Sequence, residues 1–140
     1  MKNLFILFLT VSIILGACRA HRTPAVVTKE QVQTALDNWL VDSTPPALFE
    51  RNQKGHAIVT DVYGYSVNPI IQTAEVRFVN FTYHDEAGQT KTFTGSGYLN
   101  MMKEYGLDAN QAKWRIDSMS LNDEHKEIKA FRPSKDFEVK

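Results

Sequence analysis

The residue with the most distinctive chemistry is Cys18, the single cysteine in this chain of 140 residues. A lone thiol can be buried in a core, act as a reactive nucleophile or serve as a point of covalent attachment. Cys18 follows the apolar run Leu4–Leu15 and the small residues Gly16 and Ala17. A thiolate is the strongest side-chain nucleophile available to accept a lipid. This position therefore favours covalent attachment over a core or catalytic role.

The run before Cys18 has the order of a secretory signal peptide. One positive charge in Met1-Lys2-Asn3 is followed by about a dozen apolar residues and then by small residues. A membrane-spanning helix needs about 20 apolar residues, and this run stops before Arg19. A core helix would have a polar face at helical spacing, and Leu4–Leu15 has none. The segment is predicted to be a targeting signal.

Leu15-Gly16-Ala17-Cys18 resembles the lipobox of bacterial lipoproteins. The resemblance implies that residues 1–17 are removed and that Cys18 carries a diacylglycerol and further acyl chains such as palmitate. Arg19 stands where an aspartate would favour retention in the inner membrane, so the resemblance implies the outer membrane, facing the periplasm. The alternative is a plain secretory signal with a chance cysteine at the cut site.

Removal of residues 1–17 would leave 123 residues with a net charge of −1, because Lys2 is the charged residue in the segment. That length is enough for one domain with a modest core. A nearly neutral chain is not expected to bind nucleic acid, which requires clustered positive charge. The membrane, reached through the N-terminal lipid, and an envelope protein are the partners predicted.

Few side chains have a spacing that suggests catalysis or metal binding. The four histidines are far apart and have no cysteine partners, so neither a metal nor a cofactor is predicted: His21, His56, His84 and His125. Asp61 and Tyr63 lie two residues apart on one face of a predicted strand. They could act as base and hydrogen-bond donor if that face lined a pocket. They form the candidate pocket, although no catalytic residue is assigned.

The element that begins the folded part is predicted to be a helix. Thr28 and Gln31 match a capping box, and Val27 and Val32 match a hydrophobic staple. An apolar stripe at helical spacing follows and ends before Pro45: Val32, Ala35, Leu36, Trp39 and Leu40.

Four segments rich in β-branched and aromatic residues are predicted to be antiparallel strands: His56–Tyr65, Ile70–His84, Thr90–Met102 and Lys113–Leu121. The alternation changes phase after Phe78 and after Ile116, as a β-bulge would cause. One helix followed by four strands resembles the cystatin-like and nuclear-transport-factor-like α+β arrangement. The fold predicted is therefore α+β, with one N-terminal helix on a curved antiparallel sheet of about four strands.

The predicted organisation has four parts: signal peptide 1–17, lipidated cysteine and tether 18–27, α+β domain 28–121 and charged tail 122–140. The tail either packs a few apolar residues on the sheet or orders on a partner. The function predicted is that of a small lipid-anchored envelope protein, a non-catalytic binding or structural module. The alternative is a small envelope enzyme or inhibitor that uses the concave face of the sheet. If that face is filled by Trp39, Phe78 and Phe81, catalysis there is excluded.

Overall fold

The computed structural model describes residues 21–44, 47–50, 53, 55–104, 113–124 and 126–140. Within them lie helix α1 (Lys29–Leu40) and strands β1 (Arg22–Pro24), β2 (His56–Tyr65), β3 (Ile71–His84), β4 (Thr90–Glu104), β5 (Lys113–Asp123), β6 (Lys126–Phe131) and β7 (Glu138–Val139). All pair antiparallel in one sheet of order β1-β2-β3-β4-β5-β6. Strand β7 pairs with the first residues of β5, on the same edge as β6.

The prediction of one helix on a sheet of about four strands is wrong. Strands make up 58% of the described residues and the helix 11%, so the fold is mainly an antiparallel sheet of seven strands. The three additional strands, β1, β6 and β7, come from segments expected to be tether and tail. They are short or highly charged, and they become strands because the edges of β2 and β5 supply backbone partners.

Both predicted phase changes are confirmed as β-bulges. In β3 the register shifts between Phe78 and Phe81, and Asn80 adopts a φ of 48°. Asparagine is among the few residues that tolerate this left-handed conformation. In β5 the shift leaves Asp117 as an extra residue between the pairs Asn100–Ser118 and Met101–Ile116. Each bulge lets apolar side chains before and after it face the same core.

Helix α1 begins as its sequence predicts. The hydroxyl of Thr28 accepts a hydrogen bond from the Gln31 amide, and the Gln31 side chain accepts one from the Thr28 amide. All five residues of the predicted apolar stripe are buried. Trp39 is 3% exposed and Trp114 on β5 is 7% exposed, which confirms that both tryptophans belong to the core.

The face of the sheet toward α1, here called the helix-side face, is filled by apolar side chains. On the strands these include Ala57, Val59, Val62, Ala74, Val76, Phe78, Phe81, Leu99, Met101, Trp114, Ile116, Met119, Leu121, Phe131 and Val139. Phe49, which lies outside the strands, is 4% exposed. Its ring centroid is 5.4 Å from that of Trp39, 5.5 Å from Phe81 and 5.2 Å from Phe131. Phe49 thus joins the helix to both halves of the sheet.

Two glutamine side chains, the edge glutamines Gln33 and Gln53, pair with strand edges that lack a strand partner at that point. Gln33 accepts from the Val59 amide (2.8 Å) and donates to the Ala57 carbonyl (2.9 Å). Gln53 accepts from the Thr82 amide (3.0 Å) and donates to the Thr82 carbonyl. A carboxamide carries one acceptor and a donor group, as a peptide unit does, so each side chain substitutes for a neighbouring strand.

In the part of the chain that the structure describes, no helix has the length and apolar character needed to cross a membrane.

Candidate functional site

Cys18 lies outside the described residues, so lipid attachment stays a prediction. The other candidate residues, Asp61 and Tyr63, both lie on β2.

The face of the sheet turned away from α1, here called the open face, carries mainly polar side chains. Its residues on β2 to β5 include the polar Asp61, Tyr63, Tyr65, Thr73, Glu75, Arg77, Ser96, Tyr98, Asn100, Arg115, Ser118 and Ser120 and the apolar Ile58, Ile71 and Met102. All except Tyr63 and Thr73 are exposed or half-buried. Strand alternation explains the composition, because every second residue points away from the apolar core.

Asp61 and Tyr63 share the open face, not the helix-side face, and have separate partners. The Asp61 carboxylate accepts from the Val62 amide (2.9 Å) and is otherwise exposed. Tyr63 is 6% exposed, and the guanidinium carbon of Arg22 lies 3.8 Å from the centre of its ring. Burial, together with the neighbouring Tyr65, raises the pKa of the Tyr63 phenol well above its usual value. Tyr63 therefore stays protonated at neutral pH, which is the form that a hydrogen-bond donor needs.

A chain of hydrogen bonds crosses the open face from β2 to β5. The Tyr65 hydroxyl donates to Thr73 Oγ1 (3.4 Å), and Thr73 Oγ1 donates to Asn100 Oδ1 (2.9 Å). The Asn100 side-chain amide then donates to Ser118 Oγ (3.4 Å). Thr73, Asn100 and Ser118 are direct cross-strand neighbours, which brings their side chains within reach. The chain holds these polar groups in one arrangement.

Beside this chain lies a cleft of about 290 Å³, here called the open-face cleft. Its lining residues are Tyr65, Ile71, Thr73, Asn100, Met101, Met102 and Asp117. Asp117 is the bulge residue of β5, so the extra residue places a carboxylate next to the row of hydroxyl and amide groups. Bulges commonly redirect a side chain in this way near binding sites. The arrangement can donate and accept hydrogen bonds with little net charge.

A second opening, of about 760 Å³, lies between α1 and the start of β2. Its lining residues are Gln33, Asp37, Leu40, Val41, Gln53, Gly55, His56, Ala57 and Ile58. The edge glutamines occupy two of these positions and already pair with the exposed backbone there. This opening offers apolar surface, the imidazole of His56 and the Asp37 carboxylate, which already accepts a hydrogen bond from Gln33.

The hydrogen-bond chain contains neither a charged nor a metal-binding residue and was not predicted from the sequence. Tyr65, Thr73, Asn100 and Ser118 are ordinary residues for the solvent side of a strand, and only their cross-strand register brings them together. The available signal was the alternation of the strands, which assigns each of them to the polar face. Among the described residues, no three histidine, aspartate or glutamate side chains are grouped so that they could hold a metal ion.

Comparisons with protein-family models, with curated proteins and with solved structures found no match to this chain.

Proposed function

We propose that this chain is a lipid-anchored protein of the cell envelope whose folded part is a non-catalytic binding module. Cys18 carries the lipid, and the anchor holds the module at the outer membrane facing the periplasm. The open face is its binding surface. The observation that carries the proposal is the hydrogen-bonded row of polar side chains from Tyr65 to Ser118 on a face that no described element covers.

The packing of the helix-side face supports a module without a catalytic centre there. Trp39, Phe78 and Phe81 fill that side and are at most 3% exposed. These three side chains leave no open space for a substrate. The alternative of an enzyme or inhibitor depended on an open cavity among them. Asp61 and Tyr63 lie on the other face with separate partners, and Tyr63 is only 6% exposed, which gives a substrate little access to its side chain.

The composition of the open face suits binding. Tyrosine gives contact area at low entropic cost, and serine and asparagine give adaptable hydrogen bonds, as in the binding loops of antibodies. Tyr98 is 37% exposed at the centre of the face, opposite Glu75 on β3 and Ser120 on β5. Arg22 and Glu75 neutralise each other through a 3.0 Å ion pair. The surface therefore suits a polar partner without strong charge.

The anchor is tested with Cys18→Ser in the full chain. Labelled palmitate should enter the wild-type protein and not the variant, because the acyl chains need the thiol. Wild-type protein should partition into detergent and resist washing with high salt, since the attachment is apolar. A mature wild-type protein with an unmodified Cys18 thiol, released in soluble form, would contradict this part of the proposal.

The binding surface is tested with a pair of matched charge reversals. Arg77 is exposed on the open face and lies opposite Ser96, whereas Arg132 is exposed in the segment after β6. Partners captured from membranes by the wild-type protein should be lost with Arg77→Glu and kept with Arg132→Glu. A photo-crosslinking residue placed at Tyr98 should reach the same partners, and one placed at Asn38 on α1 should not. Equal capture by both charge variants would overturn the role of the open face.

A further inference from the structure

We infer that the open-face cleft binds one ring of a neutral saccharide. This inference rests on the proposed use of the open face for binding, and it specifies the ligand. The cleft lies at one end of the row, between Tyr65 on β2 and Asp117 on β5.

The size of the cleft fits a single ring. Its volume is about 290 Å³, just below the range of about 300–1,000 Å³ typical of sites for drug-sized ligands. A pyranose ring is smaller than such ligands. The floor of the cleft is held in place, because the Thr73 side chain is buried (4% exposed) and donates a hydrogen bond to Asn100.

The polar groups of the cleft match hydroxyl groups that both donate and accept. Asn100 gives one amide hydrogen to Ser118, and a carboxamide has a second to donate. The Tyr65 oxygen donates to Thr73 and keeps its lone pairs as acceptors. Asp117 is a strong acceptor of hydroxyl hydrogens. A ligand with several hydroxyl groups can satisfy all three residues at once.

The charge of the lining excludes anionic ligands. Asp117 is the charged residue among the described residues that line the cleft, and the guanidinium of Arg115, which lies within electrostatic range of Asp117, is already paired with Asp136 at 2.7 Å. An anion in the cleft would therefore meet a carboxylate first. A neutral ligand avoids this repulsion. The ring of Tyr65 and the side chains of Ile71 and Met102 provide apolar walls against which the C–H faces of a sugar can pack.

The inference is tested by titrating the amide NMR spectrum of the folded chain, residues 19–140, with glucose, galactose and N-acetylglucosamine. At least one sugar should shift the amides of residues 65, 71–73, 100–102 and 117 together, with a dissociation constant near the millimolar range expected for one exposed ring (about 1 mM corresponds to −4.1 kcal/mol). Asp117→Asn and Asn100→Leu should each weaken binding at least fivefold. Asn38→Ala, at an exposed position on α1 away from the open face, should leave it unchanged.

Three outcomes would overturn the saccharide assignment: no shifts at 100 mM sugar, shifts away from the cleft, or stronger binding of ethanolamine or inorganic phosphate. The spectra of the variants report folding directly, so a misfolded variant is recognised and replaced by Asp117→Ser. If no sugar binds but Arg77→Glu still abolishes the capture of partners, the saccharide assignment is wrong and the binding role of the open face stands. If capture is also unaffected, the proposed function itself fails.

Discussion

Replacing Phe49 with alanine should destabilise the domain more than truncating any half-buried aromatic residue. Phe49 is 4% exposed and contacts the rings of Trp39, Phe81 and Phe131. It lies outside the strands, where its backbone is joined to the sheet by a single bridge to Tyr83. Its side chain is therefore the main connection between this segment and the core.

The size of the loss follows from the packing. Truncation of a buried phenylalanine to alanine costs about 3–5 kcal/mol, and the three ring contacts place Phe49 in the upper half of that range. We expect the free energy of unfolding to fall by about 4 kcal/mol, which is a large part of the total of about 5–15 kcal/mol that is typical of folded domains. With a urea slope of about 1.5 kcal/mol per molar, the midpoint should fall by about 2.7 M.

The assay is urea unfolding of residues 19–140, followed by tryptophan fluorescence, because Trp39 and Trp114 are both buried. Phe93→Ala is the control: Phe93 is half-buried and its ring has one aromatic neighbour, Phe78, at 5.7 Å. It should lose less than half as much stability as Phe49→Ala. If the two variants were equally stable, Phe49 would not be the connection described above.

Three further perturbations test the edges, the end of the helix and the sheet. Gln33→Leu should lower the free energy of unfolding in urea by about 1–2 kcal/mol, because it leaves two backbone groups of β2 without their hydrogen-bond partner. An unchanged urea midpoint would contradict this pairing. The Lys135 ammonium group holds the pKa of Asp42 below its ordinary 3.8. This contribution to stability is therefore present above pH 3.8 and lost as the pH falls through the lower folded-state pKa. Asp42→Asn should flatten the fall in stability between pH 5 and pH 2, and an unaltered pH profile would refute this. Gly97→Ala should lower the melting temperature, because the added carbon would collide with the Ser120 carbonyl oxygen and force β4 from β5. A wild-type melting temperature would contradict that close approach.

The sequence predicts those elements whose signals are local. Thr28 and Gln31 define the start of α1, and the change of phase after Phe78 indicates the bulge in β3, because both depend on neighbouring residues. Strands β1 and β7 have only three and two residues, too few for any alternation to be read. Phe49 ends the short apolar run Ala47-Leu48-Phe49, which is too short to show a period, so its burial cannot be read from the pattern and follows from tertiary contacts.

The candidate site was predictable only in part. Asp61 and Tyr63 share a face, as the period of β2 indicates, but which face carries the binding groups depends on where the helix packs. The bulge that makes Asp117 the extra residue of β5 is visible in the sequence as a phase change. Its position beside Tyr65 and Asn100 is not, because it depends on the register of three pairings between strands far apart in the chain.

The edge glutamines bear on how many copies of the chain can lie close together. A lipid anchor would concentrate the protein in two dimensions, where an unpaired strand edge invites one copy to add to the next. Gln33 and Gln53 already satisfy the backbone of β2 and β3 at the positions where a strand partner is lacking. At the opposite end of the sheet, β6 carries Lys126 and a register shift that leaves Ile128 outside the ladder. Crowding on a membrane would therefore be compatible with separate molecules, and loss of one glutamine carboxamide would leave two backbone groups of the edge free to pair with another copy.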